Sequence, residues 1–150
     1  MAVVSIVDII DVIDKDTVTG LGMLMYSTDT SDLAKFNLVG ANGKLASGIT
    51  GATNEAKQMV WGAGTYGVAE TNDAIACTKY AVVRIGTALT IGTVVYLANT
   101  TAGAAGGLVT DTSATSGDLL QKVGYVIPDG KGVATSDKLI IDFETGVDVA

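Results

Sequence analysis

The densest carboxylates in the chain, Asp8, Asp11, Asp14 and Asp16, are the first residues whose type and spacing suggest chemistry, because hard oxygen donors at short intervals suit calcium. The run lacks the glutamate that would close a twelve-residue calcium loop. Solvated charges that keep an apolar segment soluble account for it more simply. A second string, Gly62-Ala63-Gly64-Thr65-Tyr66-Gly67, has the G-x-G-x-x-G form that cradles a pyrophosphate, and it follows a strand-like Met59-Val60-Trp61. That chemistry also needs a helix opening on the glycines and an acidic residue about 20 positions on. No Asp or Glu falls between Asp73 and Asp111, so a glycine-rich turn is the reading. Histidine is absent, which removes the Ser-His-Asp triad, the Cys-His pair and the usual zinc ligands. Cys77 is the only cysteine; it can form no intramolecular disulfide and reads as a small buried core residue. Paired carboxylates for glycoside hydrolysis stay open on spacing alone, with only Trp61 and a tyrosine to serve as a sugar platform. No catalytic residue, cofactor or metal is assigned, and the chain is not read as an enzyme.

Composition bounds the elements that must position any site. At 150 residues the chain fits one domain with enough buried surface to fold without staples. Apolar residues make up 48% but aromatics only 5%, so the core must be built from Val, Ile, Leu and Ala. Nineteen glycines against one proline favour tight hairpins and bulges over long helices. The net charge of −7, without clustered Lys or Arg, argues against a phosphate-backbone partner, so no nucleic acid is expected. The N-terminus has no basic residue before Lys15 and carries Asp8 and Asp11 within its apolar run, unlike a secretory signal. The longest apolar stretch, 81–98, is interrupted by Arg84, Gly86, Gly92 and threonines, so no membrane segment is expected.

Along the chain, residues 1–14 read as an extended N-terminal arm and residues 15–150 as a single β-rich domain. In the arm, Val3, Val4, Ile6, Val7, Ile9, Ile10, Val12 and Ile13 are broken by Asp8, Asp11 and Asp14 at a spacing of three. That spacing fits neither a helix nor a strand, and β-branched content favours extended structure. The arm would suit pairing with another chain's sheet edge, or it is an ordinary first strand. Residues 41–56, rich in Gly, Ala, Ser and Asn, read as a surface loop or flexible joint with a turn at Asn42-Gly43. A short helix is expected over 54–61. Strands are expected over 18–26, 67–70, 74–85, 89–97, 108–110, 119–127 and 138–144, and the loop 99–106 as exposed. The fold class is therefore mainly β: a small β-barrel or β-sandwich of short antiparallel strands with little helix.

One order of motifs goes further. Thr90-Ile91-Gly92 leads into Val95-Tyr96-Leu97, then Lys122-Val123-Gly124-Tyr125-Val126, then a closing apolar strand from Lys138 to Glu144. This order resembles the head decoration, or cement, proteins of tailed bacteriophages; residues 1–60 carry no motif of that kind. The resemblance implies a structural virion protein, made in the host cytoplasm, that binds the outer surface of the capsid. It further implies a homotrimer with the major capsid protein as partner, stabilising the head against internal DNA pressure. The arm residues Val3, Val4, Ile6 and Val7 are the candidate capsid or inter-subunit contacts. The competing readings are a phage fibre or adhesin-type domain that binds host glycans, and a small β-barrel enzyme or carbohydrate-binding module.

Overall fold

The computed structural model describes residues 3–13, 23–26, 33–51, 54–62, 68–99, 103–110 and 114–149, and among these it contains strands and no helix. The strands in chain order are β1 (Val3–Val4), β2 (Ile6–Val12), β3 (Met23–Tyr26), β4 (Leu33–Ala34) and β5 (Leu38–Val39). They continue with β6 (Gln58–Gly62), β7 (Val68–Ala69), β8 (Ala74–Thr78), β9 (Tyr80–Thr90) and β10 (Val94–Leu97). The last are β11 (Leu108–Val109), β12 (Leu119–Leu120), β13 (Lys122–Ile127), β14 (Thr135–Asp142) and β15 (Val147–Asp148). The fold is mainly β, as the glycine-punctuated Val/Ile/Leu runs require.

The principal sheet has the order β1-β11-β10-β13-β14-β9-β2. Its first and last members are one run of chain interrupted at Ser5, whose carbonyl accepts from the Gly86 amide at 2.9 Å. The sheet therefore curls until its two ends meet in residues 3–12. Val83, Ile85, Val95, Leu97, Val123, Leu139 and Ile141 point inward and are fully or almost fully buried, and Leu38, Ala46, Ala56 and Met59 fill the same core from outside the sheet. Many small contacts replace large anchors, as a core almost without rings must have it.

A second sheet, β3-β8-β6-β5, lies beside the first. Its paired neighbours alternate between two cores. Leu38 and Met59 enter the principal core, while Val39 and Val60 join Leu33, Ala69, Ile75 and Cys77 in a second cluster. Burial on both faces leaves β5 and the start of β6 without the polar alternation of a half-exposed strand.

Several expected elements are redrawn. The helix expected over 54–61 is instead a bridge at Asn54 followed by β6, because Gln58-Met59-Val60 is buried on both faces and hydrogen-bonds to β5 and β8. The strand expected over 74–85 breaks at Lys79: the Thr78 hydroxyl bonds the Tyr80 backbone, letting β8 serve one sheet and β9 the other. The run 89–97 breaks at a turn in which Gly92 takes φ +87°, and the Thr93 amide bonds the Thr90 carbonyl at 3.0 Å. The run 119–127 breaks at Gln121. Only Met23–Tyr26 of the strand expected over 18–26 is among the described residues. The turn at Asn42-Gly43 forms, with Gly43 at φ +77°. Around it, the described part of 41–56 carries the buried Ala46, Ser47 and Ala56 and bridges Gly48 to Asn99. Asn99, at the start of the loop expected to be exposed, is buried.

Candidate interaction surface

The N-terminal strand owes its three-residue period to two bulges. Ile6 faces Ile85, Asp8 faces Arg84, Ile9 faces Val83, Asp11 faces Val82 and Val12 faces Ala81, with register shifts between Ile6 and Asp8 and between Ile9 and Asp11. Val7 and Ile10 are the extra residues. A bulge sets two residues against one partner residue, so each inward side chain is followed by two outward ones. Ile6 and Ile9 are half-buried against the core and Val12 is half-buried, whereas Val7, Asp8, Ile10 and Asp11 point to solvent.

The same strand thus carries apolar side chains on both faces. Outward, Val3 is 59% exposed, Val7 53%, Ile10 40% and Ile13 42%. These are four of the nine exposed large apolar side chains among the described residues, all within residues 3–13: Val3 on β1, Val7 and Ile10 on β2, and Ile13 just after it. Of the residues singled out from sequence, Val4 is buried in the principal core and Ile6 packs against it, while Val3 and Val7 face solvent. Backbone pairing of this segment is with the chain's own sheet, Val3 with Val109 and Val4 with Leu108. Ile10 and Ile13 belong to the outward row as well. A strict two-residue period through Val3 and Val7 already reaches Ile13 but turns Ile10 inward, and the bulges turn it out.

Charge frames the row. Arg84, opposite Asp8, pairs with Asp137 at 2.7 Å, and the guanidinium holds the Asp137 carboxyl below its usual range. The Ile9 amide donates to the Asp8 carboxylate at 2.9 Å, so a backbone donor on this outer strand is already occupied. Bulges and a carboxylate cap on such a strand oppose indiscriminate pairing with other chains.

Away from this surface, the polar side chains hold structure together. Gln121, fully buried, accepts from the Ala56 amide at 2.7 Å and donates to the Ala56 and Glu144 carbonyls at 2.8 Å each. The Asp118 carboxylate accepts from the Thr50 hydroxyl, the Thr115 amide at 2.8 Å and the Thr115 hydroxyl at 3.0 Å. Burial works to raise its pKa, but these hydrogen bonds together hold it below the usual value. Cys77 is buried in the second cluster, and burial pushes its thiol up to about 12. Gly62 lies in β6, and the rest of the G-x-G-x-x-G string falls outside the described residues, as do Asp14 and Asp16. Among the described residues, no three His, Cys, Asp or Glu side chains are grouped to hold a metal ion. Among the described residues, no helix is long and apolar enough to cross a membrane. No family model, curated protein or solved structure matches this chain.

Proposed function

We propose that this chain is a capsid decoration protein of a tailed bacteriophage, binding the outside of the head and bracing the shell against internal DNA pressure. The observation that carries the reading is the N-terminal segment, residues 3–13, in which Val3, Val7, Ile10 and Ile13 are exposed. Exposed aliphatic groups gathered in one short segment suit a docking surface better than a site for chemistry. The order of motifs over residues 88–144 supports the same reading. The partner is the major capsid protein, and the bound form is a homotrimer on the outer surface of the virion. The decoration protein binds the assembled lattice and not dispersed subunits, so each bound copy stabilises the shell by mass action.

The test is co-sedimentation of the purified chain with mature heads that lack it, followed by heating to compare rupture temperatures. Burying a half-exposed Val or Ile contributes about 1 kcal/mol. The double substitution Val7→Lys/Ile10→Lys removes two such contributions, or about 2 kcal/mol, and should weaken binding at least ~30-fold. Saturable binding that raises the rupture temperature, lost in the double variant, supports the proposal. Heads that neither bind the chain nor gain heat resistance refute it.

A further inference from the structure

Where β9 begins and β14 ends, beside β13, lies a groove that the docking surface does not use. Two adjoining hollows, of about 320 and 90 Å³, share Asp142 and Glu144 as a common wall. The larger is flanked by Lys57, Lys79 and Tyr80, the smaller by Lys122 and Tyr125. Both tyrosines face outward, Tyr80 37% and Tyr125 47% exposed.

We propose that this groove binds a short neutral oligosaccharide. Tyr125 stands opposite Ile140 on β14 and Tyr80 opposite Asp142, so the Cα atoms of the two tyrosines lie two strands apart and two residues apart along the sheet. Strand spacing and rise then set them roughly 12 Å apart, room for about two or three sugar rings laid from one phenol to the other. Phenol faces offer apolar platforms for the C–H faces of pyranoses. Asp142 and Glu144, the wall that the two hollows share, are acceptors for sugar hydroxyls, and the lysine ammonium groups are donors to ring and hydroxyl oxygens.

Charge selects the ligand class. Lys57 is paired with Glu55, and the remaining Lys79 and Lys122 match Asp142 and Glu144 two against two. On a chain of net charge −7, this groove is close to neutral, which favours an uncharged polyhydroxy ligand over an anionic or cationic one. Its floor is held before any ligand arrives. Gln121 donates to the Glu144 carbonyl at 2.8 Å, and the Glu144 amide donates to the Lys122 carbonyl at 3.2 Å. A groove already in shape loses less on ordering when it binds.

The test uses the isolated full chain without capsids, so its outcome is separate from that of shell binding. Calorimetric titration with neutral trisaccharides of glucose, galactose, mannose and N-acetylglucosamine, and with a sialylated trisaccharide, should give saturable binding of at least one neutral probe at about 1 mM or tighter. Tyr80→Ala and Tyr125→Ala should each weaken that binding about tenfold, Tyr125→Phe less than Tyr125→Ala, with circular dichroism unchanged in all three. The proposal is overturned if no neutral probe binds. It is equally overturned if the sialylated probe binds more tightly than every neutral one, or if both alanine variants bind as the parent does.

Discussion

Gln121 offers the sharpest test of how the two sheets are held together. Its side-chain amide is fully buried and makes three hydrogen bonds, two to Ala56 ahead of β6 and one to the carbonyl of Glu144 after β14. Tyr96 and Leu97 pair β10 with its neighbours beside this point, so the residue sits where three segments converge. Gln121→Met keeps the length of the side chain and removes all three bonds. The Ala56 amide and carbonyl are buried and would each lose about 1.5 kcal/mol, while the half-buried Glu144 carbonyl can turn to water and lose about 0.5. The sum is about 3.5 kcal/mol, a large part of the 5–15 kcal/mol typical of a domain. At roughly 2–4 °C per kcal/mol for a chain of this size, the melting temperature should fall by about 7–14 °C. Gln121→Glu is the companion. It places a carboxylate against two carbonyl oxygens, so its folded-state pKa is raised above the unfolded ~4.3 and its penalty grows as pH rises through that range. Urea unfolding of both variants at pH 7 and pH 4 reads the effect. A Gln121→Met variant within about 0.5 kcal/mol of the parent at both pH values would refute the reasoning, since the buried amide would then be dispensable.

Three further outcomes are expected. Gly124→Ala would set a Cβ 1.9 Å from the Ile140 carbonyl oxygen, so β13 and β14 must separate; a loss of about 3 kcal/mol or more is expected in urea unfolding. Glu55 is held below its usual pKa by the hydrogen bond from Lys57 and then by the Gly146 amide, so its stabilisation is complete above the unfolded pKa of ~4.3 and disappears as pH falls through the lower folded value. The difference in unfolding midpoint between the parent and Glu55→Gln should therefore be constant above pH ~5 and close toward zero in stronger acid, and a difference that persists there would contradict it. Cys77, buried and with its thiol pushed up to about 12, should resist iodoacetamide at pH 8 in the native chain and react fully in denaturant.

The strand-rich class was legible because its signal is local: glycine and asparagine at turns, β-branched residues between them. What escaped is non-local. Thr78-Lys79-Tyr80 reads as the middle of one strand, yet it is the point at which the chain leaves one sheet for the other, and only the Thr78 hydroxyl bonding the Tyr80 backbone marks it. Gln58-Met59-Val60 offered no period to separate strand from helix, since both faces are buried and nothing polar alternates. Gln121 looks like an ordinary polar residue between apolar neighbours, and its partners are 65 and 23 residues away.

The N-terminal segment makes the same point for the candidate surface. A three-residue repeat of Asp and β-branched residues looks aperiodic against templates of 2.0 and 3.6, and an arm outside the domain is a natural reading of it. In the fold, the repeat is the register of a doubly bulged strand, and its consequence is specific: Ile6 and Ile9 pack against the core and Val12 is half-buried, while Val7, Ile10 and Ile13 turn out. The segment that joins the two ends of the sheet is therefore also the one that exposes a row of aliphatic side chains. Deleting residues 2–13 would remove both at once and could not distinguish a lost contact from a lost fold. Changing only Val7 and Ile10, whose side chains already meet solvent, leaves the inward set in place and isolates the outward one.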